Sequence, residues 1–251
     1  MDKTTRKEYL HKLEQGYSSR FRIFEISCLL LAALSVVHLA IEIAPSVRSH
    51  PFTLSALIPA LLTIDFLSGL GHWAGDTWGS VSTPILGESY VRPFREHHVD
   101  PLALTRHDFI EANGATAFVA LLVLVPLQLV HIPQNPWLLY LYAYLFFTFG
   151  FGILSNQPHV WAHAPQKPRL VEWMQKRRLL IPPRHHAIHH VVPFSKYYCV
   201  FLGWLNPLLT ATNFFRHVER VITFITGVEP HVDDLAQIQM LRESMMKDSS
   251  G

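Results

Sequence analysis

Four stretches of this chain approach the roughly 20 apolar residues that a helix needs to cross a bilayer. They cover residues 23–43, 52–70, 115–130 and 137–154. Composition agrees with a membrane protein. Of 251 residues 49% are hydrophobic and only 16% charged, against about a quarter charged in soluble domains. In lipid the backbone must satisfy its own polar groups, which leaves helices as the structure for such segments. The expected fold is an all-α integral membrane protein with four transmembrane helices. The first span is expected to stop at Pro45, with Glu25 near its start reaching the headgroups. Asp65 falls near the end of the second. The link HIPQNP at 131–136 is short enough to make the last two spans an antiparallel hairpin. One domain accounts for the length: a polar segment 1–22, a membrane domain 23–235 and a polar tail 236–251. Segment 1–22 lacks the apolar core and cleavage site of a secretory signal, so the first span is read as a retained anchor. The stretch YYCVFLGWLNPLLTAT at 197–212 is too short and interrupted for a fifth span and is read as interfacial or re-entrant.

Orientation follows from the bias of Lys and Arg toward cytoplasmic loops. Lys3, Arg6, Lys7, Lys12, Arg20 and Arg22 precede the first span. Arg92, Arg95 and Arg106 follow the second, and Lys167, Arg169, Lys176, Arg177, Arg178 and Arg184 follow the fourth. The other two links hold only Arg48. Four spans with both termini cytoplasmic satisfy every loop. The host membrane is then a bacterial inner membrane or the endoplasmic reticulum. The net charge of +2 comes with no Lys/Arg stripe interleaved with aromatics, so no nucleic-acid partner is expected.

This topology sorts the sixteen histidines. His72, His97, His98, His107, His159, His163, His185, His186, His189 and His190 fall on the cytoplasmic side, as a histidine-rich helical cap. His38, His50 and His131 fall at the opposite side, and His11, His217 and His231 stand alone. Neutral imidazole is the commonest metal ligand. His159 and His163 are an i, i+4 pair that shares one helix face. His186, His189 and His190 give i+3 and i+4 pairs in what reads as one helical turn, enough for two ions, with His185 outside that register. Cys28 and Cys199 form no CxxC pair, so no thiolate site or disulfide framework is indicated. There is no HExxH of zinc peptidases and no ExxH of soluble di-iron carboxylate proteins. So many histidines exceed the needs of one ion, and a histidine-held pair of irons is the better match, since imidazole suits iron. Asp65, Asp76, Asp100, Asp108 and Asn156 are candidates to orient ligand rings. Arg92, Arg95, Arg106 and Arg184 are available for a phosphate headgroup. Phe146, Phe147, Phe149 and Phe151 either line a slot for an apolar chain or face lipid.

The segments DFLSGLGHWAGDTWGS (65–80), RPFREHHVDP (92–101), TRHDFIEANG (105–114), NQPHVWAH (156–163) and PRHHAIHH (183–190) resemble the signatures of the Kua-type lipid desaturases, over roughly residues 55–235. That family includes plasmanylethanolamine desaturases, bacterial carotenoid-regulating homologues and a plant plastid branch acting on phosphatidylglycerol acyl chains. The resemblance is greatest to the first. It implies O2-dependent removal of hydrogens from C1 and C2 of an sn-1 alkyl ether chain at a di-iron centre, giving the vinyl ether of a plasmalogen. It also implies electrons from cytochrome b5 or another small carrier. The family's two histidine boxes fall on His159/His163 and on His186/His189/His190; His72, His97, His98 and His107 match further family histidines. Pro158 stands where an Ile is usual in animal relatives, a position in the first turn of a helix where proline is tolerated. The competing expectations are acyl-chain desaturation and a non-enzymatic metal-binding membrane scaffold.

Overall fold

Every regular element among the described residues is helical, and four helices are long and apolar enough to span a membrane. The structure is a computed structural model. It describes residues 17–230 except 81, 82, 85 and 192, together with Met246. His11, His231, the basic residues up to Lys12 and the polar tail apart from Met246 lie outside the described residues.

The first helix, α1, runs Ser19–Ser49. Ser18 caps it, its Oγ accepting from Phe21 N at 3.4 Å. It does not stop at Pro45. Proline lacks an N–H and so forgoes one helix bond, yet the helix continues through it to Ser49. A 3₁₀ turn, Pro51–Ala56, leads into α2, Leu57–Thr77. This helix runs past the expected end of the second span and carries His72 and Asp76 in its last turns. After a π-type turn at Gly87–Val91 comes the short α3, Arg92–Val99. Helix α4, Phe109–Gln128, starts at Asp108, whose Oδ1 accepts from Ile110 N and Glu111 N at 3.0 and 3.1 Å. Helix α5, Pro136–Gly152, starts at Asn135, whose Oδ1 accepts from Trp137 N and Leu138 N. Such caps satisfy N–H groups that have no partner inside the helix. Five short helices follow: α6 Gln157–His163, α7 Arg169–Lys176, α8 Pro183–His186, α9 Asn206–Ala211 and α10 Phe214–Thr226.

Helices α1 and α4 run side by side in the same direction. Glu25 packs on Gly114 near one end, and Gln128 Nε2 donates to Ser35 Oγ at 3.0 Å near the other. Helices α4 and α5 form the expected hairpin, tied by Thr116 Oγ1 to Ile153 O at 2.5 Å and by Tyr142 OH to Leu127 O at 3.2 Å. Thr63 and Tyr144 hydroxyls meet at 2.8 Å between α2 and α5. Small residues (Ala32, Ala56, Ala117, Ala120, Ala143) are fully or nearly fully buried between the spans, which lets backbones approach closely. Ile23, Leu30, Leu34, Ile41, Leu122 and Leu129 point outward. So large an apolar exterior suits lipid and not water.

Segment 198–202 is not helical and is folded into the protein interior. Tyr198, Cys199, Val200, Phe201 and Leu202 are buried, stitched onto α2 by polar side chains. Asp65 Oδ1 accepts from Leu202 N and Gly203 N, both at 2.7 Å, and Oδ2 from Leu205 N at 3.0 Å. Ser68 Oγ accepts from Val200 N and Phe201 N. Asn206 closes the loop through Cys199 N and O. The approach of Cys199 needs Gly69: a Cβ there would lie 2.6 Å from its Sγ.

Candidate metal centre

The four spans place the ends of α2 and α5 and the starts of α1 and α4 at one end of the bundle, and the short helices cover that end. Eight of the ten candidate histidines converge there in two groups. His97, His159, His163, His186 and His190 form one; His72, His97, His98 and His189 form the other. Within each group the ligating atoms lie within 4.8 Å of one another. His97 belongs to both.

Local structure aims each ring. His72 is on the last turns of α2, His97 and His98 close α3, and His159 and His163 share one face of α6. The expected single helical turn for the last cluster is not observed. Helix α8 ends at His186, and residues 187–190 are turns. The chain therefore delivers His186 and His190 to the first group and His189 to the second. The return from that turn is strained: Phe194 and Tyr197 have φ of 58° and 64°, a region costly for bulky residues.

A metal fits these donors. Nδ1 of His72 faces Tyr198 O at 3.1 Å, that of His97 faces Pro93 O at 3.2 Å, that of His189 faces Lys196 O at 3.0 Å and that of His159 faces Asn156 Oδ1 at 3.3 Å. An oxygen acceptor holds the proton on Nδ1 and leaves the Nε2 lone pair for a metal. Nε2 of His72 and of His97 is buried with no hydrogen-bond partner. Nε2 of His186 lies 2.9 Å from those of His163 and His190 and 3.0 Å from that of His159; Nε2 of His98 lies 2.9 Å from that of His189. Metal–nitrogen bonds of about 2.1 Å at right angles place two nitrogens about 3.0 Å apart. Burial lowers the pKa of His97, His98, His186 and His190, with neighbouring imidazoles adding to the shift. These rings are therefore neutral, the form that ligates. Phe94 stacks on His72 and Phe194 on His98, with centroids 5.0 and 4.6 Å apart, which shields the rings from water.

The remaining sequence candidates divide clearly. Asp76 has an oxygen 3.4 Å from Nε2 of both His72 and His189 and 3.7 Å from that of His98, so it stands among the ligating atoms of the second group. Asn156 orients His159 and is itself anchored by Nδ2 donating to Ala112 O at 2.9 Å. Asp65 anchors the loop that carries Tyr198. Asp100 pairs with Arg106 at 2.9 Å on the surface, and Asp108 caps α4 and pairs with Arg22 at 2.5 Å. His107 lies outside both groups, 3.1 Å from Glu96, and His185 Nε2 is 2.9 Å from Gly203 O. Arg92 and Arg95 are buried, and Arg92 is engaged by Glu96 and Glu111. Arg106 and Arg184 are exposed. Sequence reasoning missed the carbonyls of Pro93, Lys196 and Tyr198, which carry no residue-type signal.

A cavity of about 600 Å³ borders this centre. His72, Phe94 and Asn156 line its inner end; Ile64, Ala120, Thr148 and Phe149 line it among the spans. Phe24, Leu67, Leu86, Phe118 and Val119 line it and are also exposed, so it opens sideways toward the lipid. Of the fourth-span aromatics only Phe149 borders it; Phe146 and Phe147 pack against the core and Phe151 is exposed.

Residues 61–233, which hold both histidine groups, match the model of the lipid desaturase domain. The chain belongs to this family. The family member resembles the plasmanylethanolamine desaturase of Myxococcus xanthus, at 40% identity over 94% of this chain and 84% of that one. It resembles plasmanylethanolamine desaturase 1 of the mouse at 41% identity, over 86% of this chain and 81% of that one. Chloroplastic fatty acid desaturase 4 of Arabidopsis thaliana is 36% identical over 66% of this chain and half of that one. No solved structure matches. This desaturase-family chain is an integral membrane oxidoreductase.

Proposed function

We propose that this protein forms the vinyl ether bond of plasmalogens, acting on the sn-1 alkyl chain of plasmanylethanolamine with two irons per chain and O2. The observation that carries this reading is the apolar cavity that runs from the lipid side to His72, at the edge of two histidine groups. The relatives' names supply the substrate. Removing two hydrogens from C1 and C2 while O2 becomes two waters takes two further electrons and two protons. Cytochrome b5 or another small carrier would deliver the electrons at the cytoplasmic face, where the loop charges put both termini.

Bound iron supplies the redox chemistry for O2 reduction and hydrogen removal. The chain's own residues do the rest. The Nδ1 partners hold four imidazoles in one orientation, so little reorganisation accompanies turnover. The cavity walls hold the alkyl chain against the His72 edge and exclude water from it. Only the ether oxygen and the glycerol separate the reacting carbons from the phosphate, so the headgroup must rest near the metal end.

The test is lipid mass spectrometry on aerobic cells lacking plasmalogens and fed an alkylglycerol, with and without the protein. Acid-labile species two mass units below the alkyl-ether lipids are expected. Unchanged ether lipids, with the protein iron-loaded, would overturn the reading. The likeness to chloroplastic fatty acid desaturase 4 favours one second reading, desaturation of a fatty acyl chain, for which phosphatidylglycerol is the carrier lipid to examine. The same experiment would then show new unsaturation in that lipid.

A further inference from the structure

The first span carries an acid that the metal centre does not use. The sequence placed Glu25 near the start of that span, within reach of the headgroups. The structure turns it inward: it is 1% exposed. A glycine across the interface makes the room, since a Cβ on Gly114 would lie 2.4 Å from the Glu25 side chain. One carboxylate oxygen, Oε2, accepts from Tyr17 OH. The other, Oε1, is buried with no hydrogen-bond partner. Glu25 lines the same cavity as His72, with Glu111 and His107 beside it.

The neighbouring cations are engaged elsewhere. Arg22 pairs with Asp108 at 2.5 Å. Arg92 binds Glu96 at 3.0 Å and also Glu111, and it lies over the Tyr17 ring at 5.8 Å. The metal end of an otherwise apolar cavity thus carries surplus carboxylate. A buried carboxylate with one oxygen left unpaired is costly, and an arriving cation would remove that cost.

We propose that Glu25, supported by Glu111, receives the primary ammonium of an ethanolamine headgroup and sets the headgroup preference. This rests on the reading of the substrate as an ether phospholipid. An alkyl chain gains little by leaving lipid tails for an apolar cavity, because the two are equally apolar. Discrimination between phospholipids therefore falls to polar contacts at the headgroup end. A primary ammonium brings three N–H donors to a carboxylate held by Tyr17, whereas a trimethylammonium brings none. A glycerol headgroup brings no positive charge.

The experiment uses the membrane-embedded protein with its redox partners and a series of alkyl-acyl lipids: ethanolamine, N-methyl, N,N-dimethyl and choline headgroups on one alkyl chain. The ratio of vinyl ether formed at equal substrate is read. In the native protein the yield is expected to fall stepwise along the series, by about tenfold or more overall, as charge-assisted hydrogen bonds are lost. Glu25→Gln is expected to flatten the series. A native protein that converts choline and ethanolamine lipids equally overturns the proposal without any variant, and so does an unchanged series in folded, iron-loaded Glu25→Gln. If the native protein forms no vinyl ether on any headgroup, the function proposed above falls, and this inference with it.

Discussion

His186, His189 and His190 leave one short turn for two different groups of donors, so their losses should be distinguishable. His186→Ala and His190→Ala are expected to empty the first group and His189→Ala the second. Each should abolish desaturation while membrane abundance stays near that of the native protein. His38 and His131 are exposed and remote from both groups, and their replacement by Ala should leave activity unchanged. Iron content per purified chain and vinyl ether yield check this; damage by His131→Ala equal to that by His189→Ala would rule out the site. Asn156 acts one step back. Without its oxygen the His159 ring loses its Nδ1 partner, and iron affinity should fall about 10- to 100-fold, measured by competition with a chelator. Asn156→Asp keeps the acceptor and should bind iron better than Asn156→Ala. The converging histidines were legible in the sequence because histidine pairs at helical spacing, all on one side of the predicted spans, carry their own signal. Their orienting carbonyls were not, since any residue at Pro93, Lys196 or Tyr198 offers one. The burial of Glu25 was not legible for a related reason: it depends on Gly114, 89 positions away.

At the scale of elements, the loop after the last histidine turn is held to the second span by Asp65 and Ser68, with Asp65 taking three of its N–H groups. Asp65→Ala would leave the N–H groups of Leu202, Gly203 and Leu205 without their acceptor. Each unsatisfied buried group costs about 1–3 kcal/mol, so Asp65→Ala should lose on the order of 3 kcal/mol and several degrees of Tm. Iron should be lost as well, because Tyr198 O then no longer holds His72. Thermal unfolding in detergent, with iron assayed in parallel, reads both; an unchanged Tm would show that the loop does not depend on Asp65. Gly75 is a second such point. A Cβ there would lie 2.4 Å from Phe94 Cδ2, and Phe94 is the ring stacked on His72. Gly75→Ala should cost about 1–3 kcal/mol by overpacking, and Phe94→Leu should return part of it. Additive losses in the double variant would mean that the two residues do not meet. The spans were legible from apolar length alone. Their ends were not, because a bilayer fixes only the apolar middle. Asp108 and Asn135 supply the caps for two of them, and the second runs on until it has delivered His72 and Asp76.

Across the whole molecule, four helices and a histidine cap border an apolar path from the lipid side to the histidine groups. The path is bordered by α1 through Phe24, by α2 through Leu67 and by α4 through Ala115 and Val119, so no single span defines it and no sequence pattern announces it. Its role is separable from that of the donors. Ala115 lines the cavity and is only partly buried, so a larger side chain there can fill empty space without displacing packed neighbours. Ala115→Phe should therefore keep its iron and its Tm, since filling a void costs little and adds dispersion contacts. It should lose most turnover, because the alkyl chain can no longer lie against the His72 edge. Ala115→Val should fall between the two. Steady-state vinyl ether formation, normalised to iron content, measures the effect. Native turnover by an iron-loaded Ala115→Phe protein would show that the chain reaches the metal by another route, and would take with it the placement of Glu25 at the headgroup.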